Sequence, residues 1–130
     1  MKVLSAKQIR ELDAYTIKHR PISSIDLMET ACHAVFTWIA QNYYPDTKFG
    51  VVCGTGNNGG DGLGLARLLM DAGYSVEVFV VRGSASETDD FKTNLQRLSV
   101  KVQTNDIIEK VPDGLFASAN VIIDAIFGSG

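Results

Sequence analysis

Apolar residues along this chain recur with two different periods, and each switch of period marks a new element. Beginning at Ser5, the positions Ile9, Leu12, Ala14 or Tyr15 and Ile17 repeat at helical spacing, with Ser5 and Gln8 arranged as a capping box. This predicts a helix to about His19, ended by Pro21. Ser23 or Ser24 then caps a second helix to about Asn42, with Leu27, Met28, Ala31, Ala34, Val35, Trp38 and Ile39 on one broad apolar face. At Lys48–Cys53 the period gives way to a short apolar run beside glycines, as in a strand buried on both faces. A third helix runs from Asp61 through Leu63, Leu65, Ala66, Leu68, Leu69 and Met70, and Gly73 supplies a left-handed cap.

The second half repeats the alternation. Ser75–Val81 reads as a strand, and Ser86 or Thr88 caps a helix through Leu98, with Glu87, Asp89 and Asp90 near its positive end. Val100–Gln103 reads as a shorter strand and Asp106–Lys110 as a brief helix. After the Pro112-Asp113-Gly114 turn, Leu115–Ala119 fits either type, and Val121–Ile126 is a fourth strand, apolar except for Asp124. The expected fold class is therefore α/β, a parallel sheet with right-handed crossovers and helices on both faces. Residues 5–42 form two leading helices and residues 48–130 the sheet-bearing part of a single 1–130 domain.

Composition narrows the partners. At 45% hydrophobic, 130 residues can build one core, and a net charge of -3 leaves no basic footprint for nucleic acid or an anionic membrane. No apolar run approaches the roughly 18 residues of a membrane span, and the N-terminus turns polar too early for a signal-peptide core. The expected location is cytoplasmic. Cys32 and Cys53 lack metal-ligand spacing and read as small buried hydrophobes.

The chemistry concentrates in two places. Val51–Leu63, VVCGTGNNGGDGL, carries Gly54, Gly56 and Gly59 as G-x-G-x-x-G between a strand and a helix, a turn that aims amide N–H groups at a phosphate. Asp124 is the second: a carboxylate inside an apolar strand must be hydrogen-bonded, paired or protonated. Because ligands of parallel sheets sit beyond the carboxyl ends of the strands, the glycine loop and Asp124-Ala125-Ile126-Phe127-Gly128-Ser129-Gly130 are expected to converge. The competing structural account of Asp124 is a carboxylate that accepts backbone N–H bonds from a neighbouring loop. Cys53 has no His placed to activate it and reads as packing. His33, on a mostly apolar face, reads as a satisfied core histidine, and Met28 and Trp38 read as core.

CGTGNNGGDG after a strand, with DAIFGSG about sixty residues later and IDLME upstream, resembles the YjeF N-terminal domain, the NAD(P)H-hydrate epimerase family. The resemblance implies a three-layer α/β/α Rossmann-like fold, one bound K⁺ per subunit, and frequent homodimers. It also implies epimerisation of the R and S forms of hydrated NADH or NADPH, with hydrated NAD(P)H as substrate rather than cofactor. Matched to the family's motifs, Asn57, Asn58, Gly59, Gly60 and Asp61 are substrate-binding, Asn58 and Asp124 are potassium ligands, and Asp124 is the catalytic carboxylate. Gly128, Ser129 and Gly130 match the start of a second substrate loop. Some relatives carry a fused dehydratase domain, so a fused or separate dehydratase partner is implied.

The chain departs from the family in two respects. It stops inside the second glycine motif, which leads to the expectation of a domain truncated at its C-terminus. Where the family places a Lys near the end of the strand ending at Val81, this chain has Arg82, a poor proton acceptor better suited to phosphate contact. Two other readings stand beside the epimerase. One is an ordinary NADP-type Rossmann domain, which Arg82 in place of the usual acidic residue would suit. The other is an inactive epimerase-like binding scaffold.

Overall fold

The structure is a computed structural model that describes residues 2–5, 23–99, 104–108 and 110–127. Its elements are β1 (Lys2–Ser5), α1 (Ser24–Asn42), β2 (Lys48–Cys53), α2 (Asn57–Asp71), β3 (Ser75–Val81), α3 (Asp89–Ser99), β4 (Asn105–Ile107) and β5 (Val121–Ala125). The five strands form one sheet in the order β1-β5-β2-β3-β4, and every pair is parallel. No helix among the described residues is long and apolar enough to cross a membrane.

Local chemistry accounts for most boundaries. Ser23 caps α1 by accepting the Asp26 N–H at 3.3 Å, and Thr88 Oγ1 accepts the Phe91 N–H at 3.3 Å at the head of α3. Gly73 has φ of 95°, the left-handed conformation expected of a residue ending α2. β2 and β3 run in the expected bounds because Phe49, Val51 and Cys53 face one side and Val52 the other, with nearly all of β2 buried.

One apolar cluster joins the sheet to all three helices, with Ile39 from α1, Leu63, Leu65 and Leu69 from α2, and Phe91 and Leu98 from α3 packed over Val51, Val78, Val80 and Ile123. The opposite face carries Val52, Phe79, Ile107 and Ile122. Leu115, Phe116 and Ala119 cover it from consecutive turns, with Phe116 edge-on to Phe79 at 6.1 Å. The stretch 115–119 is thus neither helix nor strand but a turn segment whose apolar side chains do the covering.

Several expectations change. Ser5 is the last residue of an edge strand not expected from the sequence, because Lys2–Ser5 pairs with Val121–Asp124. The remainder of the first expected helix and the strand expected at Val100–Gln103 lie outside the described residues. The brief helix expected at Asp106–Lys110 is replaced by β4, since the edge of β3 offers unpaired backbone groups and Phe79–Val81 pair with Asn105–Ile107. α1 buries a narrower stripe than its apolar face suggested, namely Met28, Ala31, Cys32, Val35 and Ile39. Trp38 is 41% exposed, and His33 sits on the solvent side, 3.4 Å from Glu29.

Candidate functional site

The sheet order creates a switch point. From β2 the chain proceeds outward to β3 and β4, then returns to β5 on the other side of β2, so the connections leaving β2 and β5 diverge. A crevice beyond the carboxyl ends of two such strands is the usual ligand position in parallel sheets. Val52 pairs with Asp124 and Cys53 with Ala125, so the glycine segment and Asp124 emerge side by side. The two sequence motifs are therefore brought together by topology.

The glycine segment is a helix start more than a loop. α2 begins at Asn57, four residues before the expected Asp61, with Gly56 as its N-cap. Gly59, Gly60, Gly62 and Gly64 all lie inside it, although each glycine costs a helix about 1 kcal/mol relative to alanine. Close packing explains the exchange. A Cβ on Gly62 would stand 2.7 Å from the Ala125 Cβ and 2.8 Å from Cys53 Sγ, one on Gly54 would overlap the Ile126 carbonyl oxygen, and one on Gly59 would overlap the carbonyl oxygen of Gly54. At Gly56, by contrast, a Cβ would meet nothing within 4 Å among the described residues. The Gly54 N–H donates to the Ala125 carbonyl at 3.0 Å, stitching the two strand ends together. The helix ladder opens with the Gly60 N–H donating to Gly56 at 3.0 Å, so the amides of the preceding turn point out of the helix end above the crevice.

The side chains of this segment divide by exposure. Asn57 is exposed, Asn58 is 8% exposed, and Asp61 is completely buried. Asp61 therefore does not line the surface of the crevice with its carboxylate. Burial, followed by the charge of Asp61, pushes the Cys53 thiol far above its ordinary range, which makes it inert as a nucleophile and agrees with its reading as packing. The neutral thiol is the form the fold prefers. Its stabilisation is therefore complete below the unfolded value near 8.5 and is lost, by up to about 1.4 kcal/mol per pH unit, as pH rises above it. Urea titrations at pH 7, 9 and 10 should show the wild-type chain losing more stability with pH than Cys53→Ala. Parallel losses in the two chains would contradict the assignment.

Asp124 is half-buried at the end of β5, and its Oδ1 accepts the Ile126 N–H at 3.1 Å. The backbone-bond account of this carboxylate thus holds for one oxygen, with the donor two residues along its own loop. Strand alternation sets Asp124 on the face of Val52 and Ile122, whereas Asn58 opens the helix on the other face. Gly128, Ser129 and Gly130 lie outside the described residues.

Arg82 is engaged. Its guanidinium bonds Glu87 at 2.6 Å and Asp106 at 3.2 Å, and the Glu87 hydrogen bond leads the interactions that raise its already high pKa. With two carboxylates on it, Arg82 offers little net positive field to a phosphate, which weakens the NADP-type Rossmann reading. Sequence reasoning gave no part in the glycine segment to two residues that hold it: the Thr88 N–H donates to the Thr55 carbonyl at 3.0 Å, and Asn94 Nδ2 donates to the Gly60 carbonyl at 3.1 Å. For Asn94 a signal existed, a polar residue inside the buried stripe Phe91, Asn94, Leu98 of α3.

Comparison with known proteins gives the family. The chain is 38% identical over 135 residues to the NAD(P)H-hydrate epimerase of Anaerococcus prevotii, covering 100% of this chain and 61% of that protein. It is 38% identical to the enzyme of the same name from Limosilactobacillus fermentum, covering 99% and 60%. The bifunctional NAD(P)H-hydrate repair enzyme Nnr of Dictyoglomus turgidum is 30% identical, with 100% of this chain and 26% of that protein covered. The chain thus spans about three fifths or less of the length of these relatives. Among solved structures, the crystal structure of the yeast protein ynu0 superposes with a TM-score of 0.68 at 27% identity, over 98% of this chain and 57% of that one. Residues 24–130 match the family model described as YjeF-related protein N-terminus, and the chain belongs to that family.

Proposed function

We propose that this domain epimerises the R and S forms of hydrated NADH and NADPH. The observation that carries the reading is the convergence, at one switch point, of an amide-bearing helix start at Asn57–Gly59 with the half-buried carboxylate of Asp124. The amides suit the substrate's phosphates, and the names of the relatives support the substrate class.

Asp124 is proposed as the proton shuttle. Its carboxyl proton passes to the hydroxyl on the nicotinamide ring, the C–O bond breaks, and water departs as the ring nitrogen's lone pair forms a planar cation. Water then adds to the opposite face and returns a proton to the carboxylate, so atoms and charge balance. The oxygens of Asn58 and Asp124 form a hard donor set of the kind K⁺ accepts, and a K⁺ held there would neutralise charge beside the substrate. Because these residues lie toward opposite faces of the sheet, a shared ion belongs beyond the strand ends. A dehydratase-class partner fits the bifunctional relative's name.

The test measures interconversion of hydrated NADPH epimers by this chain and by the same chain extended at its C-terminus with the corresponding residues of the Anaerococcus prevotii relative, in KCl and in NaCl. Acceleration over the spontaneous rate that is greater in KCl is expected. If neither chain exceeds the spontaneous rate, the domain is a binding scaffold and the epimerase reading fails.

A further inference from the structure

The three helices meet at a buried amide. Asn94 of α3 is 1% exposed, and its Nδ2 lies 3.1 Å from the Gly60 carbonyl of α2 and 2.9 Å from Met28 Sδ of α1. Small residues make the approach possible: a Cβ on Gly60 would stand 3.1 Å from Met28 Sδ, and one on Gly64 would stand 2.9 Å from Cys32 Sγ. The Gly60 carbonyl belongs to the helix ladder, so it does not need Asn94 to be satisfied. Asn94 Oδ1, meanwhile, is buried with no hydrogen-bond partner among the described residues, a desolvation cost that brings no bond in return. An apolar side chain of similar size would fill the site without that cost, so stability does not account for the amide.

What the amide does is hold a place. Gly60 follows Asn58 by two residues at the head of α2, and the Thr88 N–H at the head of α3 holds the Thr55 carbonyl on the other side of the same turn. α3 therefore grips the glycine segment at both ends. We infer that Asn94 is a positioning residue for the dinucleotide site, fixing the height and rotation of the Asn57–Gly59 turn through the Gly60 carbonyl. The inference rests on the epimerase reading for its substrate and on the hydrogen bonds above for its geometry.

The experiment uses Asn94→Leu and Asn94→Asp in the full chain, with NADPH binding by calorimetry in KCl, epimerisation kinetics and urea stability measured together. Asn94→Leu should be as stable as the wild type or more so, yet bind NADPH about tenfold more weakly, with KM rising in parallel and kcat changing less. In Asn94→Asp a protonated carboxyl can donate to Gly60 and an ionised one cannot. Its affinity relative to wild type should therefore recover toward low pH and fall as pH rises. Wild-type Kd and KM in Asn94→Leu would overturn the inference, as would an Asn94→Asp affinity that tracks wild type at every pH. A wild-type chain that binds NADPH without epimerising it sinks the epimerase reading alone, and the Kd comparison still decides the role of Asn94. A wild type that binds no NADPH overturns the inference, and the rate comparison still decides the epimerase reading.

Discussion

Gly59→Ala should destabilise the domain by about 3 kcal/mol or more, while Gly56→Ala, in the same G-x-G-x-x-G motif, should cost less than about 1 kcal/mol. At position 59 the new methyl would occupy the space of the Gly54 carbonyl oxygen. That carbonyl has little room to swing away, because the Gly54 N–H is bonded to Ala125 and even a Cβ on Gly54 would overlap the Ile126 carbonyl oxygen. Relief would have to come from α2 lifting off β2 and β5, where Leu63, Leu65 and Leu69 are fully buried. Helix propensity returns only about 1 kcal/mol of the loss. Against a total of about 5–15 kcal/mol for a typical domain, this is a large fraction. A Cβ at Gly56 meets none of the described residues, so its substitution should act on ligand approach instead of on folding. Urea midpoints of the two variants decide the point: equal destabilisation would mean that the strand–helix turn relaxes far more easily than its geometry implies.

On the epimerase reading, Asp124→Asn should lower turnover of hydrated NADPH by about 10²–10⁴-fold with little change in stability. The amide keeps an oxygen to accept the Ile126 N–H and an oxygen donor for a cation, but it cannot carry a proton between the two faces of the substrate. Asp124→Ala should lose the same turnover and, in addition, the turn geometry beyond β5. The comparison separates proton transfer from positioning, since only the second function survives in Asn. Turnover of Asp124→Asn within about threefold of wild type would remove Asp124 from the proton-transfer role. Substrate bearing ¹⁶O, epimerised in H₂¹⁸O with no ¹⁸O gained at the reacting carbon, would argue against release of free water.

Much of this architecture was legible along the chain because burial leaves periodic traces. β2 and β3 follow continuous or alternating apolar runs, α1 follows its Ser cap and apolar stripe, and Gly73 marks the end of α2. Where pairing came from a distant edge, the pattern was silent. β1 and β4 are strands because β5 and β3 present open ladders to them, and three or four residues are too few to show a period.

The site divides in the same way. The amino-acid sequence alone singled out the two segments proposed to carry the chemistry, since a glycine-rich helix start and a carboxylate within an apolar strand are both costly features that local propensity would avoid. Only the tertiary structure decided what each one faces. The strand order places Gly54 and Asp124 at one switch point, and close packing assigns Gly59, Gly60 and Gly62 to the protein interior while leaving Gly56 open. It likewise buries Asp61 beside Cys53, commits Arg82 to Glu87 and Asp106, and sets Asn94 under Gly60. Such roles depend on contacts between residues distant in sequence, 66 positions apart for Asn94 and Met28, and the chain's local periodicity, which reports only whether a side chain is buried, does not encode which partner it is buried against.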